Sequence, residues 1–337
     1  MVFENVKIEV VSLKFQMVSL KPKALITISL MILLLIAGFW ITYQPVAGEK
    51  PLVVTTTSVL GSVVKDLAGD RVEVTVLVNP AVCPAHYDVK PSDVYAVAEA
   101  KLIFYHGIEN WLKQLYETSG SHADLVKVSG SWSTVDGIKH YYQEVAKALN
   151  EKIGLDVSER LEERLKELDE VTQQILQEAE SRHVSSINVI VMSWQRDFVE
   201  WLGFNVVGEF GPPEKLSSAD IEELIAIGRE NNVGIVVSNL QSGTEVGETL
   251  ARELGAVHVI LSNFPESDPE TRTLVDLMKK KADSLLEAVN LLSVKRALSQ
   301  TRGELEFYQA LAYSLIVIAV IEALALAYLI FARRRKA

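Results

Sequence analysis

The sequence predicts an α/β protein of two parallel-sheet lobes joined by a long backbone helix and flanked by transmembrane helices. The chain has 337 residues, which is enough for two compact lobes. An alternation of short apolar strands with amphipathic helices occurs twice, once on each side of a long helical stretch. Two apolar runs bracket this body, one without any charge and one with a single glutamate, Glu322, and each is long enough to span a bilayer.

Composition excludes several classes of protein. Hydrophobic residues make up 49% of the chain and charged residues 23%, which excludes a disordered chain. The 33 basic and 44 acidic residues give a net charge of −11, which argues against a nucleic-acid partner. The chain has one cysteine, so an internal disulfide is impossible.

The two apolar runs predict that the protein is attached to the cell membrane. Residues 1–23 form a basic cytoplasmic segment, and the run 24–43 is either a retained anchor or a cleaved signal segment. The second run, 311–331, is a transmembrane helix followed by the basic tail 332–337. Because basic residues flank the cytoplasmic side of membrane spans, we expect an extracytoplasmic body.

The N-terminal lobe is predicted over residues 51–135. Short β-branched and apolar runs alternate with helical periodicity, and this order is typical of a parallel sheet covered by helices. The predicted strands are 52–57, 72–78, 102–105 and 125–128, and the predicted helices are 59–67, 94–100 and 108–116.

A helical linker, 136–182, follows this lobe. Its second part, 157–182, has apolar residues at helical spacing and charged residues between them, which predicts one long backbone helix with a solvated outer face. A coiled coil is the alternative for this segment, but a single long helix is more often packed within a fold.

The C-terminal lobe is predicted over residues 186–290, where the strand–helix alternation begins again. A helical stalk, 291–310, then leads to the second apolar run. The predicted strands are 187–192, 206–210, 233–237 and 257–261, and the predicted helices are 197–202, 217–230, 245–254 and 271–291.

The loop after the second predicted strand concentrates groups that can bind metal. Cys83 and His86 have the Cys-x-x-His spacing that can place a thiolate and an imidazole on one cation, and Tyr87 follows directly. A structural loop braced by prolines is the alternative. Polar and aromatic residues at other strand ends are predicted to face the same cleft: Ser193, Trp194, Asn239, Gln241 and Ser262.

The segment 84–93 (PAHYDVKPSD) resembles the histidine-led segment of zinc/manganese solute-binding receptors of ABC transporters. The flanking segments 68–74 and 98–111 are similar to the same family, and the resemblance extends over roughly residues 51–290. It implies two lobes bridged by a rigid helix, with one ligand site between them. It also implies an ABC permease and ATPase as partners, no catalytic activity, and cell adhesion as a family-level possibility.

The resemblance implies four metal-ligand positions, and this chain departs from the family at three of them. His86 corresponds to the first histidine, whereas Gly130 stands at the second position. The third position falls at Met192 or Ser193, and the fourth, an aspartate in the family, falls at Ser262.

The remaining donors predict a softer site than the family's. Cys83, His86 and Met192 together would favour Cu(I) or Zn over Mn, bound as transported ligand and not as catalytic cofactor. Alternatively, the cleft holds a neutral or chelated solute between Trp194, Tyr87, Asn239 and Gln241.

Two functions from different classes remain. The first is a membrane-anchored extracytoplasmic protein that delivers a metal ion, or a metal-containing solute, to an ABC importer. The alternative is a receptor-derived membrane sensor or scaffold that no longer binds metal. A hydrolase using Cys83 and His86 is disfavoured because no third residue is visible to orient the base.

Overall fold

The computed structural model describes residues 29–33 and 50–336, which fall into two units divided between residues 50 and 51. Residues 29–33 are helical. The predicted cytoplasmic segment 1–23 and most of the predicted anchor or signal segment 24–43 lie outside the described residues.

The N-terminal lobe is a four-stranded parallel sheet with the strand order β2-β1-β3-β4. Val53, Val54, Ile103 and Phe104 on its central strands are fully buried, as expected for a sheet covered on both faces. Its strands are β1 (Leu52–Thr55), β2 (Glu73–Val76), β3 (Leu102–Tyr105) and β4 (Asp124–Lys127), and its helices are α1 (Ser58–Ala68), α2 (Pro91–Glu99) and α3 (Leu112–Ser119).

The C-terminal lobe repeats this topology, with the parallel strand order β6-β5-β7-β8. All five residues of its third strand along the chain are buried. Its strands are β5 (Asn188–Met192), β6 (Asn205–Phe210), β7 (Ile235–Asn239) and β8 (Val257–Leu261), and its helices are α6 (Arg196–Trp201), α7 (Ser218–Glu230) and α8 (Glu245–Leu254). The predicted pair of parallel-sheet lobes is confirmed.

Two helices connect the lobes, α4 (Val135–Ile153) and α5 (Ser158–Ser181). Asp66 of α1, whose side chain is 4% exposed, accepts hydrogen bonds from Arg164 Nε at 2.8 Å and from Tyr142 OH at 2.7 Å. Near the other end of the linker, Arg182 donates to the main-chain oxygen of Leu286 at 2.9 Å. The long helix is thus attached to both lobes.

The last helix, α9 (Leu274–Lys336), is 63 residues long, or about 95 Å at 1.5 Å per residue. Its first turns pack on β8 and α5, and Leu285 and Leu292 are buried there. An 18-residue stretch farther along has a mean hydropathy of 2.3 and is unburied, so α9 is the one helix of the described residues that is long and apolar enough to cross a membrane.

This helix is continuous where the sequence suggests three segments, 271–291, 291–310 and 311–331. The segment from Leu274 to Lys336 contains no proline to interrupt the main-chain hydrogen bonds. The helix begins at Leu274 because Thr273 and Asp276 exchange hydrogen bonds between side chains and main-chain amides, at 3.1 and 2.9 Å.

Candidate functional site

A cleft of about 390 Å³ lies between the two lobes, at the carboxyl ends of both parallel sheets. Ligands bind at this edge of open α/β sheets, because the loops that follow the strands converge there. The lining residues follow six of the eight strands: 83–85 after β2, Ile108 after β3, 130–133 after β4, Ser193, Trp194 and Asp197 after β5, Asn239, Gln241 and Ser242 at and after the end of β7, and Asn263 and Phe264 after β8.

Hydrogen bonds cross between the lobes beside the cleft. Ser58 Oγ donates to the main-chain oxygen of Pro265 at 2.7 Å, and this bond is buried. Trp132 Nε1 donates to the main-chain oxygen of Asn263 at 2.8 Å. A buried hydrogen bond contributes about 1 kcal/mol net, so these contacts favour the closed arrangement of the lobes.

His106 is the buried centre of the N-terminal wall and is 3% exposed. Its Nδ1 lies 2.8 Å from the hydroxyl of Tyr141, and its Nε2 lies 2.7 Å from the hydroxyl of Thr57. Because Tyr141 donates its hydrogen to the main-chain oxygens of Val128 and Gly130, at 3.2 Å each, Nδ1 donates to Tyr141 and Nε2 accepts from Thr57. Burial lowers the pKa of His106 to about 4, so the imidazole is neutral at pH 7.

Glu109 supports His106 from the adjacent turn and is 6% exposed. Its Oε1 accepts from the Thr56 hydroxyl at 2.6 Å and from the amide of His106 at 3.0 Å. Its Oε2 accepts from the amides of Gly107 and Ile108 at 2.7 and 2.9 Å. Burial alone would raise the pKa of this carboxyl, but the donated hydrogen bonds outweigh burial and lower it.

Aromatic side chains form much of the apolar surface of the cleft. The ring of Trp132 packs on His106, with centroids 4.7 Å apart, and on Phe264, with centroids 5.9 Å apart. Trp194, on the opposite wall, is 57% exposed. An exposed indole beside a cleft offers a face on which a ligand can stack.

Gln241 is the most connected polar residue of the C-terminal wall. Its Nε2 donates to the main-chain oxygen of Pro80 in the other lobe and to the hydroxyl of Ser262, both at 2.9 Å. Its Oε1 accepts from the main-chain amide of Asn263 at 3.1 Å and from Asn239 Nδ2 at 3.3 Å. Gln241 therefore links Asn239 and Ser262, and all three residues were predicted to contact ligand. Ser262 is not among the described residues that line the cleft.

Two amide oxygens of this wall lack hydrogen-bond partners among the described residues, Gln195 Oε1 and Asn263 Oδ1. Gln195 is fully buried, and its Nε2 donates to the main-chain oxygen of Leu261 at 3.1 Å. Asn263 lines the cleft. A buried acceptor without a donor costs free energy, so these two oxygens contribute nothing favourable to the stability of this wall.

The loop that carries Cys83 is held by contacts within the N-terminal lobe. Trp111 Nε1 donates to the main-chain oxygen of Pro84 at 2.9 Å, and the ring of Tyr87 lies 5.1 Å from that of Trp111. Tyr87 OH donates to Asp93 at 2.9 Å. Cys83 is half-buried and lines the cleft, whereas Tyr87 braces the loop.

The other two predicted metal ligands lie elsewhere. His86 is exposed and is not among the described residues that line the cleft. Met192 is fully buried and packs in the core of the C-terminal lobe, where its sulfur accepts the main-chain amide of Trp194 at 3.3 Å. The structure does not bring Cys83, His86 and Met192 together in the cleft, while Ser193 and Trp194 do line it.

The backbone conformation explains why a glycine stands at the implied second ligand position. Gly130 lines the cleft with φ of 115°, a conformation that residues with side chains rarely adopt.

Within the described residues, no three His, Cys, Asp or Glu side chains are grouped so that they could hold a metal ion. A bare cation therefore finds few charged donors in this cleft.

Sequence reasoning did not single out His106 and Glu109 as the buried centre of the N-terminal wall. The sequence places His106 at the end of β3 but does not reveal its burial, because Thr57 and Tyr141 lie far away in the chain. The glycine and the glutamate that closely follow His106 were the available signal of a turn closed by a carboxylate.

Comparison with known proteins places the chain in a family. The family model described as "ZnuA: Zinc-uptake complex component A periplasmic" matches residues 53–288. The chain belongs to this family. The ZnuA family consists of substrate-binding proteins of ABC transporters, so the chain is not an enzyme.

Relatives in the ZnuA family include a manganese-binding lipoprotein, MntA, of Halalkalibacterium halodurans. It is 26% identical over 273 residues, which cover 72% of this chain and 90% of MntA. The manganese ABC transporter substrate-binding lipoprotein PsaA of Streptococcus pneumoniae is 32% identical over 104 residues, 29% of this chain and 32% of PsaA. These matches do not favour the sensor or scaffold alternative.

Solved structures share the fold. The periplasmic zinc-binding protein TroA from Treponema pallidum has a TM-score of 0.62 at 20% identity, covering 71% of this chain and 99% of TroA. A Mn-bound periplasmic metal-binding protein from Candidatus Liberibacter asiaticus has a TM-score of 0.63 at 16% identity, covering 71% of this chain and all of that chain. At such identities the likeness concerns the fold of the ZnuA-family lobes.

Proposed function

We propose that this chain captures a metal-containing cargo outside the cell membrane and hands it to the permease and ATPase subunits of an ABC importer. The observation that carries the proposal is the cleft itself, which is built from loops that follow six strands of two lobes with the same topology. A site divided between two lobes holds its cargo when they close and releases it when they separate.

The contacts across the cleft suit this cycle. Besides the buried Ser58 bond and the packing of Trp132 on Phe264, they include polar contacts such as the one between Gln241 and Pro80 and the ion pair between Lys65 and Glu266 at 2.7 Å. Contacts of this kind contribute on the order of 1 kcal/mol or less each. A bound cargo or a docked permease can therefore shift the balance between closed and open lobes.

The C-terminal helix supports attachment to the membrane. The helix α9 leaves the C-terminal lobe and contains the apolar stretch, after which the basic residues 333–336 follow. We propose that α9 anchors an extracytoplasmic body with the basic tail in the cytoplasm.

Cys83 is the donor that we assign to the metal of the cargo, because the single cysteine of the sequence lines the cleft. Thiolates prefer softer ions such as Zn²⁺ and Cu(I) over Mn²⁺. His86, the neighbouring candidate, is exposed and provides a matched comparison from the same loop.

The test is elemental analysis of the full chain purified in detergent without chelators. We expect about one Zn or Cu per chain, and at least about a tenfold loss of retained metal in Cys83→Ser, because the hydroxyl is the poorer ligand of a soft ion. His86→Ala, the control, should retain metal as the unchanged protein does. A preparation without metal from metal-replete cells would contradict the proposal.

A further inference from the structure

The size and lining of the cleft fit an organic ligand better than an isolated ion. Its volume of about 390 Å³ falls within the range of roughly 300–1,000 Å³ that is typical of sites for organic ligands. Such sites are mostly apolar, with a few polar groups that orient the ligand. An ion bound alone is instead surrounded closely by charged or strongly polar donors.

The lining of the cleft has little charge. Asp197 is its one carboxylate among the described residues, and its side chain is exposed. Apart from the thiol of Cys83, the other polar side chains of the lining are mainly amides and hydroxyls, and the amides of Gln241 and Asn239 are engaged within the protein. A bare divalent cation would exchange its water shell for too few ligands to repay its desolvation.

Two aromatic walls are available to a planar ligand. Trp132 is fixed by its hydrogen bond to Asn263 and by packing on His106 and Phe264. Trp194 stands on the other wall with more than half of its surface exposed. Fixed and exposed indoles of this kind bind flat ring systems by stacking.

We propose that the cargo is a metal chelate, a transition-metal ion carried by a planar heteroaromatic chelator, and not the free ion. The chelator stacks on Trp194 and Trp132, and Cys83, which lines the same cleft, is placed to bind the metal. This inference rests on the proposed function, since the metal enters the argument through it, and it names the form in which the metal is bound.

Calorimetric titration of the full chain in detergent tests it with four probes: ZnCl₂, MnCl₂, metal-free 1,10-phenanthroline, and the one-to-one Zn²⁺–phenanthroline complex. We expect the complex to bind at least about tenfold more tightly than the free ions or the free chelator. Trp194→Ala should weaken the binding of the complex by about tenfold. Tyr95→Ala, which removes a 75%-exposed ring outside the cleft, is the control and should change its affinity less than about twofold.

The outcomes separate the two proposals. Tight one-to-one binding of a free ion that is unaffected by Trp194→Ala would overturn the chelate inference and leave the proposed function intact. Binding of the free chelator as tightly as of the complex would also overturn the inference. If no probe binds and no metal is retained on purification, both proposals are wrong.

Discussion

The two walls of the cleft have the same topology but differ in whether their buried polar groups all have hydrogen-bond partners. In the N-terminal wall, the carboxylate of Glu109 accepts four hydrogen bonds, and both ring nitrogens of His106 are paired. In the C-terminal wall, Asn263 Oδ1 and Gln195 Oε1 are buried acceptors without a donor among the described residues. Each wall is built from the loops that follow the strands of one sheet, and the two sheets have the same strand order.

This difference shows how two lobes with the same topology can have different roles. His106 and Glu109 are fully paired inside the protein, so they hold the N-terminal wall rigidly, while Cys83 and Trp132 of the same lobe face the cleft. Buried acceptors left unpaired contribute nothing favourable, so the C-terminal wall is held less firmly by its own side chains. Three changes test this division, in order of decreasing effect.

Glu109→Leu should have the largest effect on stability. The change leaves the hydroxyl of Thr56 and three main-chain amides, those of residues 106–108, without their acceptor. Each buried donor left unpaired costs about 1–3 kcal/mol, so we expect the free energy of unfolding to fall by about 3 kcal/mol or more. Urea denaturation of the full chain in detergent, followed by tryptophan fluorescence, measures it.

The control is Glu99→Leu, the same substitution at an exposed site at the end of α2. It should change the free energy of unfolding by less than about 0.5 kcal/mol. Equal effects of the two substitutions would show that the N-terminal wall is not held by its carboxylate.

Acid should weaken the same wall through His106. Its pKa is lowered from 6.5 to about 4 by burial, so between these pH values the unfolded chain binds more protons than the folded one. This contribution to stability is therefore fully present above pH 6.5 and is lost as the pH falls towards 4.

Denaturation curves recorded between pH 7 and pH 5 for the unchanged protein and for His106→Gln provide the measurement. The fall in stability should be less steep in the variant, because it lacks the buried imidazole that must otherwise take up a proton. Identical slopes would mean that His106 is not the group that responds, and that the neutral pair with Tyr141 does not govern this wall.

Much of the fold could be predicted from local sequence. Strands β3 and β8 have the predicted bounds, because each is an apolar run with a clear boundary at both ends. Helix α3 shows the limit of such reasoning, since it begins at Leu112 and not at residue 108. Gly107, with φ of 94°, and the amide of Ile108 are held in a turn by the Glu109 carboxylate, and that turn precedes the helix.

The candidate site was less predictable, because side-chain pairing between distant residues decides it. The sequence indicated the loop of Cys83. Nothing in the local sequence, however, shows that the side chain of Cys83 lies in the cleft while that of His86 is exposed. Met192 at the end of β5 belongs to the buried face of its sheet, which depends on α7 and α8 packing there. The engagement of Gln241 with Pro80 joins residues of different lobes and has no local signal.

Asn263→Ala should have the smallest effect on stability and completes the comparison of the two walls. The substitution retains both main-chain bonds of residue 263, from its amide to Gln241 Oε1 and from Trp132 Nε1 to its carbonyl oxygen. It removes an amide oxygen that has no partner among the described residues. Because an unpaired buried acceptor contributes nothing favourable, we expect the free energy of unfolding to change by less than about 0.5 kcal/mol, in either direction. The denaturation assay used for Glu109→Leu measures this on the same scale. A loss above about 1 kcal/mol would show that this side chain supports the fold, and the C-terminal wall would then be as fully engaged as the N-terminal one.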